Sequence, residues 1–254
     1  MAHYAEIKAA GGDTAMPMNL GKRMRIISEV CDLSKVRFLD CGCGAGEYVF
    51  ALRDKYGTDA WGIEYLAEKV AKGKSHELHA DRIKQGDLQK LDEPDASFDV
   101  ALLNEVLEHV PDDAQALREV QRVLKPGGKL IIFSPNRLFP FETHGVRMRG
   151  TGMCLSPAVP LIPYIPLALG RLFLDYWARN YWPSELRKLV RQAGFATEAI
   201  DYIWQTFENI SGKQPMLIKK ARPIFRSIAA GCERTPLVRQ FGISQVLVAR
   251  KVGA

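Results

Sequence analysis

Apolar residues form two kinds of segment along the first half of the chain. Short apolar runs, which predict buried strands, lie at residues 36–40, 60–63, 82–85, 100–103 and 130–133. Segments with apolar residues three or four positions apart, which predict amphipathic helices, lie at residues 20–30, 47–55, 66–78 and 111–124. Strands that alternate with helices in this way predict a parallel, doubly wound α/β sheet.

The second half interrupts this alternation twice. Residues 137–183 are rich in proline and in large aromatic residues, which linkers lack, so we expect an insertion that forms a cap. A helix capped by Ser184 and a strand over 196–204 then resume the pattern. A basic helical insertion near 208–240 precedes a closing strand over 244–250. The predicted fold is a Rossmann-like, mostly parallel seven-stranded sheet with helical cap insertions.

This pattern divides the chain into four predicted parts. Residues 1–35 are an N-terminal arm and helix that we interpret as a lid, and residues 36–136 are the core. Residues 137–183 are the cap, and residues 184–254 complete the core. Within the cap, the apolar stretch at 161–169 suits the interior of the cap, a homodimer contact or a membrane contact, and the sequence leaves these three open.

Composition and charge narrow the functional classes. With 254 residues, of which 47% are hydrophobic and 25% charged, the chain suits one large α/β domain with additions. Residues 1–136 carry 18 Lys and Arg against 22 Asp and Glu, whereas residues 137–254 carry 17 against 7. A basic second half suits an anionic substrate, nucleic acid, a membrane surface or simply a solvated face.

We recognise neither a targeting signal nor a cysteine motif in the sequence, and this favours a reducing compartment. The first residues do not resemble a signal peptide, and no apolar run reaches the length of a membrane span. The five cysteines do not follow a metal-binding spacing. We therefore expect a cytoplasmic protein with reduced thiols, no transmembrane segment and no clear nucleic-acid-binding motif.

A glycine-rich turn after the first predicted strand carries the strongest chemical signal. Asp40 ends the strand, and Gly42, Gly44 and Gly46 follow at intervals of two before a helical pattern begins. Glycines let a ligand approach the backbone closely, at the sheet edge where α/β proteins bind ligands. The spacing is not the G-x-G-x-x-G of dinucleotide sites, and the acid before the turn would repel a diphosphate. A ligand with positive charge suits this position better.

Five separated segments resemble the motifs of class I S-adenosylmethionine (SAM)-dependent methyltransferases. They are the glycine turn at 36–48, Glu64, Gly86-Asp87-Leu88, Asn104 to Val110, and Leu124 to Gly128. The resemblance implies SAM as the cofactor, with Glu64 accepting the ribose hydroxyls, Asp87 binding the adenine amino group and Leu88 supplying a backbone amide. The cofactor-binding residues that we expect are Arg23, Asp40, Cys41, Gly42, Gly44, Glu64, Tyr65, Gly86, Asp87, Leu88, Asn104 and Glu105.

The loop after the fifth predicted strand resembles that of methyltransferases of bacterial sugars and polysaccharides. It runs from Pro135-Asn136-Arg137 to Phe141-Glu142-Thr143-His144, and the whole chain resembles mycobacterial methyltransferases that modify methylmannose polysaccharide. The resemblance implies O-methylation of a sugar or oligosaccharide hydroxyl by in-line attack. His144 is the predicted general base, with His109 as a rival, and Glu142 is predicted to orient or polarise His144 or to hold a sugar hydroxyl.

Other functions and one further cofactor remain open at this level. The acceptor could instead be a lipid or quinone headgroup, or RNA with less support, and a SAM-binding scaffold without activity is disfavoured by the intact motifs. Some sugar methyltransferases hold a divalent metal such as Mg²⁺ beside the acceptor hydroxyl. Glu142, His144 and the pair Glu105 and Glu108 are candidate ligands, although no dense metal-binding motif is present. A homodimer is also compatible with the sequence.

Overall fold

The computed structural model describes residues 18–156, 159–204 and 216–253. The predicted N-terminal arm up to residue 17 and the start of the second insertion lie outside these described residues. None of the helices in the described ranges combines the length and the apolar character that crossing a membrane requires.

The strands form one large sheet and one small one. In chain order they are β1 Arg37–Cys41, β2 Asp59–Glu64, β3 Ile83–Gln85, β4 Phe98–Asn104, β5 Leu124–Pro135, β6 Val146–Met148, β7 Leu174–Tyr176, β8 Phe195–Ile203 and β9 Ser244–Lys251. The large sheet has seven strands in the order β3-β2-β1-β4-β5-β9-β8, of which the first five are parallel, and β9 runs antiparallel to both of its neighbours, β5 and β8. This confirms the predicted Rossmann-like, mostly parallel seven-stranded sheet.

The helices are α1 Met18–Val30, α2 Glu47–Tyr56, α3 Ala67–Lys74, α4 Asp113–Val123, α5 Leu167–Gly170, α6 Pro183–Gln192, α7 Met216–Arg234 and α8 Pro236–Arg239. Of these, α1, α2 and α3 pack against one face of the large sheet, and α4 and α6 against the other. Successive strand side chains point to opposite faces, so Phe38 joins the apolar cluster beneath α1 and α2 while Leu39 joins that beneath α4 and α6. The strands are therefore buried on both sides, which explains their continuous apolar runs.

Two helix starts differ from the predicted ones because the caps lie elsewhere. α4 begins after Asp112, whose carboxylate accepts the backbone N–H of Gln115 at 2.9 Å, and not at Pro111. The predicted capping role of Ser184 is wrong, because α6 begins at Pro183 and the Glu185 carboxylate accepts the N–H of Trp182 at 3.1 Å. In both cases an acid satisfies a backbone donor at the start of a helix.

The polypeptide between β5 and α6 contains the small sheet, in which β6 and β7 pair antiparallel. Arg137, which is buried, holds distant parts of this region together. Its guanidinium donates hydrogen bonds to the carbonyl oxygens of Pro163 at 2.5 Å and Ile165 at 2.7 Å. Within the apolar stretch at 161–169, Ile162 is buried whereas Leu169 is exposed, so the stretch supplies both an interior and a surface.

Candidate active site

The glycine turn lies at the point where the sheet order reverses, between the carboxyl ends of β1 and β4. Gly42 has a φ of +78°, and a Cβ placed on it would lie 2.5 Å from the side chain of Val106. Its amide and that of Cys43 donate to the carbonyl oxygen of Ile63 at 2.7 and 3.0 Å. Glycine is thus required both by the backbone angle and by the close packing. In open α/β sheets this crevice is where ligands bind.

Glu64 and Asp87 stand beside this turn at the ends of β2 and β3. The Glu64 carboxylate is buried and accepts the N–H groups of Gly44 and Leu66, each at 2.9 Å. Asp87 follows Gly86, whose N–H donates to the carbonyl oxygen of Glu64 at 3.0 Å. The structure therefore brings together the residues predicted to bind the ribose and the adenine, although they are distant in sequence.

Three other residues predicted to bind the cofactor lie near this edge, one with an exposed side chain and two with buried side chains. Tyr65 is largely exposed, with 68% of its surface accessible. The side chains of Cys41 and Leu88 are buried in the apolar core, so only their backbones could face a ligand. This placement agrees with the backbone role that is predicted for Leu88. The thiol of Cys41 points into the core and does not reach the site.

Asp40 is a buried acid at the glycine turn, and its pKa is unusually high. Its carboxylate is buried, and neither oxygen has a hydrogen-bond partner among the described residues. Burial, reinforced by nearby Glu64, raises the pKa of Asp40 to about 8. A buried acid without a partner is costly, and a cation beside it would remove that cost. The turn therefore fits a positively charged ligand such as SAM, which carries a sulfonium and an ammonium group.

Arg23 connects α1 to the segment after β4. The buried guanidinium donates to the side-chain oxygen of Asn104 and to Glu105 Oε1 at 2.6 Å, and Ser244 donates to the same Glu105 oxygen. Burial by itself would raise the pKa of Glu105, but Arg23 and the Ser244 hydroxyl outweigh it and hold the pKa below its usual value. All three predicted residues, Arg23, Asn104 and Glu105, thus form one ion-paired group at the sheet edge.

Glu108 lies three residues after Glu105, in the short turn Leu107–His109. Its side chain is fully buried, and its carboxyl shares a hydrogen bond with that of Glu105. Burial and the charge of Glu105 raise the pKa of Glu108 well above its usual value. The nearest basic atom is His144 Nε2, at 3.7 Å from Glu108 Oε1. His109 joins them, with its ring edge-on to that of His144 at 5.2 Å between centroids.

The loop that carries His144 is braced by Glu142. The buried Glu142 carboxylate accepts the backbone N–H of Thr143 at 3.0 Å, that of His144 at 3.1 Å, and the side-chain amide of Asn180 at 2.7 Å. Its contacts therefore reach the backbone of His144 and not the imidazole ring. Burial raises the pKa of Glu142 and lowers that of His144. The imidazole is thereby kept neutral at physiological pH.

A cleft of about 230 Å³ opens beside Glu108 and His109. Its walls come from residues 108–109, 149, 167, 171 and 174–179. Arg149, Arg171 and Arg179 lie in this wall together with Asp175 and the exposed Trp177. Sequence reasoning did not single out the three arginines, for which the only signal was the excess of basic residues after position 136.

Comparison with known proteins agrees with this geometry. Residues 39–132 match the family described as a methyltransferase domain. The chain is 34% identical over 119 residues to the ubiquinone biosynthesis O-methyltransferase of Xanthomonas oryzae, covering 45% of this chain and 49% of that protein. It is 33% identical over 139 residues to the 27-O-demethylrifamycin SV methyltransferase of Amycolatopsis mediterranei, covering 50% of each. The chain thus spans no more than about half the length of these curated relatives.

Solved structures show the same fold over a larger share of the chain. A SAM-dependent methyltransferase from Mesorhizobium loti superimposes with a TM-score of 0.58 at 18% identity, covering 90% of this chain and 96% of that one. At this identity the likeness concerns the fold alone. Residues 39–132 accordingly match the methyltransferase domain family, and the chain as a whole has the fold of SAM-dependent methyltransferases.

Proposed function

We propose that the protein is a SAM-dependent O-methyltransferase. The observation that supports this most directly is the buried, unpartnered carboxylate of Asp40 at the glycine turn, flanked by Glu64 and Asp87. When bound, SAM would supply a methyl group on a positively charged sulfur. Asp40 would face the positive charges of the cofactor, Glu64 would hold the ribose, and Asp87 would hold the adenine.

The acceptor that this chain's cleft suits best is a sugar or oligosaccharide hydroxyl. The cleft beside Glu108 and His109 has a largely charged and polar wall, and the ring of Trp177, 57% exposed, offers a flat apolar face. Polar groups suit a molecule rich in hydroxyls, and an aromatic face suits the C–H surface of a sugar ring. In this proposal residues 137–183 are the cap that holds the acceptor, as the sequence predicts.

His144 is the residue that acts on the acceptor hydroxyl. Its Nδ1 lies 3.1 Å from Thr143 Oγ1, so Nε2, which faces Glu108, is the nitrogen free to act. A neutral imidazole can receive the hydroxyl proton as the oxygen attacks the methyl group. Glu142 positions this residue by holding the backbone of its loop. Proximity and alignment of hydroxyl and methyl group supply the rest of the rate.

A panel of acceptors with methyl-labelled SAM tests this proposal. We expect label to enter mannosides, glucosides or their oligomers, and we expect Glu64→Ala, which disturbs only the cofactor site, to abolish the transfer at low SAM concentration. Label transfer to no acceptor of any class, by a protein that binds SAM, would overturn the methyltransferase proposal. Transfer to other acceptors but never to a sugar would overturn the choice of acceptor alone.

The second candidate acceptor is the phenolic headgroup of a quinone precursor. Two observations favour it: the named activity of a relative, ubiquinone biosynthesis O-methylation, and an exposed apolar surface on the cap. This surface comprises Leu161, Leu169, Leu172 and Phe173, each more than half exposed. A demethylated quinone precursor belongs in the same panel, and its methylation in preference to every sugar would establish this alternative.

A further inference from the structure

Glu108 is a buried acid to which the proposed methyl transfer assigns no role. Its side chain has no exposed surface, and its carboxyl shares a hydrogen bond with Glu105, which is itself an acid. Its neighbours differ, because Glu105 is also paired with Arg23 and Ser244, and Glu142 accepts three hydrogen bonds. Two adjacent carboxyls repel each other when both are ionised, so a cation beside Glu108 would stabilise this arrangement.

Two imidazoles meet this carboxylate. His144 Nε2 lies 3.7 Å from Glu108 Oε1, and one ligand atom from each of Glu108, His109 and His144 lies within 4.8 Å of the other two. Zn²⁺ binds imidazole nitrogen and carboxylate oxygen at about 2.0–2.2 Å in tetrahedral geometry, which places each pair of ligand atoms about 3.4 Å apart. The three side chains therefore need only a small contraction to share one ion.

We propose that Glu108, His109 and His144 form a binding site for a divalent transition-metal ion. Two imidazoles and one carboxylate suit Zn²⁺, Mn²⁺, Fe²⁺ or Co²⁺, whereas Mg²⁺ and Ca²⁺ prefer sites made entirely of oxygen ligands. This assignment differs from the expectation drawn from the sequence in both the set of ligands and the identity of the ion. Glu142 and Glu105 are committed to other contacts, His109 joins the ligand set, and Mg²⁺ is no longer the favoured ion.

The three proposed ligands would hold the ion at the edge of the cleft in which we place the acceptor. Glu108 and His109 both belong to the wall of the cleft, so coordination positions not filled by the protein face the space in which we place the hydroxyl. A divalent ion lowers the pKa of a hydroxyl that it binds. In the metal-free protein His144 Nε2 is the base of the proposed function. Once the ion is bound, Nε2 becomes a ligand, and the ion takes over the lowering of the hydroxyl pKa. This consequence rests on the proposed function, but the binding of the ion does not.

Metal binding can be measured without SAM and without any acceptor. Tag-free protein is treated with EDTA, dialysed, and titrated with Co²⁺ by visible absorption, and with Zn²⁺ and Mg²⁺ by calorimetry. We expect one equivalent of Co²⁺ or Zn²⁺ to bind at least about 10-fold more tightly than Mg²⁺. Glu108→Gln, His109→Ala and His144→Ala should each weaken Zn²⁺ binding by at least about 10-fold.

His79→Ala is the matched control, because His79 Nε2 already lies 2.6 Å from Asp54 and outside the cluster. It should bind Zn²⁺ like the wild type. SAM affinity, measured in EDTA, verifies that each variant is folded. The proposal is overturned if the wild type binds none of these ions saturably, or if the three cluster variants bind Zn²⁺ as the wild type does. Stoichiometric binding by a protein that methylates no acceptor would refute the proposed function and leave the metal site standing.

Discussion

The guanidinium of Arg23 and the carboxylate of Glu105 lie 2.6 Å apart, and this ion pair joins helix α1 to the segment that follows strand β4. Arg23 is 82 positions away from Glu105 in the sequence. Glu105 also has a positive φ of 54°, which is unusual for a residue other than glycine. The pair thus holds a strained turn beside the predicted cofactor site and keeps one of two neighbouring acids ionised.

Removal of Arg23 should destabilise the protein strongly. Arg23→Ala leaves the partly buried Glu105 beside Glu108 without a positive partner, and breaking a buried pair from one side typically costs up to ~3–5 kcal/mol. The free energy of unfolding, measured with urea, tests this. Arg25→Ala is the control, because its partner Glu29 lies on the exposed face of the same helix, and it should change that free energy very little. Equal losses in the two variants would contradict the role of the Arg23 pair.

Binding of SAM should release a proton from Asp40. The pKa of Asp40 is raised to about 8 by burial and by Glu64, so most of these carboxyls are protonated at pH 7. A bound sulfonium and ammonium favour the ionised form and lower that pKa. SAM affinity should therefore increase as the pH rises from about 6 to about 8. Calorimetry in buffers of different ionisation enthalpy measures the released proton, and Asp40→Asn should release less. An identical pH dependence in wild type and variant would refute this assignment.

The same carboxyl should weaken the cofactor-free protein at alkaline pH. In the unfolded chain Asp40 loses its proton near its ordinary pKa of about 3.9, whereas in the folded protein it keeps the proton up to about 8. The folded state thus binds more protons across this window, so the contribution of Asp40 to stability falls as the pH rises through it. Asp40→Asn should raise the melting temperature at pH 9 by at least ~2–4 °C and far less at pH 4. Thermal unfolding without SAM at both pH values tests this.

Glu64 and Asp87 should determine the affinity for SAM. A hydrogen bond to a charged group is worth ~1.5–3 kcal/mol, so Glu64→Ala and Asp87→Ala should each weaken SAM binding by about 10-fold or more. Glu68→Ala, an exposed acid in the first turn of α3, controls for the loss of a negative charge nearby. Calorimetric titration with SAM measures all three variants. Unchanged affinity in both site variants would refute the predicted adenosine pocket.

His144 should affect turnover and not cofactor binding. His144→Ala should lower kcat by about 10²–10⁴-fold with an established acceptor while SAM affinity stays within about twofold of the wild type, because the residue lies outside the glycine turn. Steady-state kinetics and calorimetry measure the two quantities. Near-normal turnover in His144→Ala would show that the histidine only braces its loop. Glu142→Ala, which frees that loop, should produce a smaller loss of kcat accompanied by a lower melting temperature.

The sequence by itself determined the mostly parallel seven-stranded sheet and the position of Glu64 and Asp87 at the ends of its strands beside the glycine turn. These features depend on local patterns: alternation of strand and helix, glycines at a turn that needs positive φ, and acids directly after buried strands. Because parallel strands end at the same edge, Glu64 and Asp87 had to meet the glycine turn once the fold was known. The boundaries of α4 and α6 were less well predicted, since a neighbouring acid that caps a helix competes with the expected start.

Only the tertiary structure decided which charged groups face one another. Arg23 carries no local sign that it pairs with Glu105, and nothing near Glu142 in sequence shows that its carboxylate holds the loop backbone and not the imidazole. The burial of the Glu108 side chain and its approach to His144 depend on how the loop after β5 packs against the segment after β4. Such contacts are set by distances between elements far apart in the chain, which hydrophobic periodicity and turn chemistry do not encode.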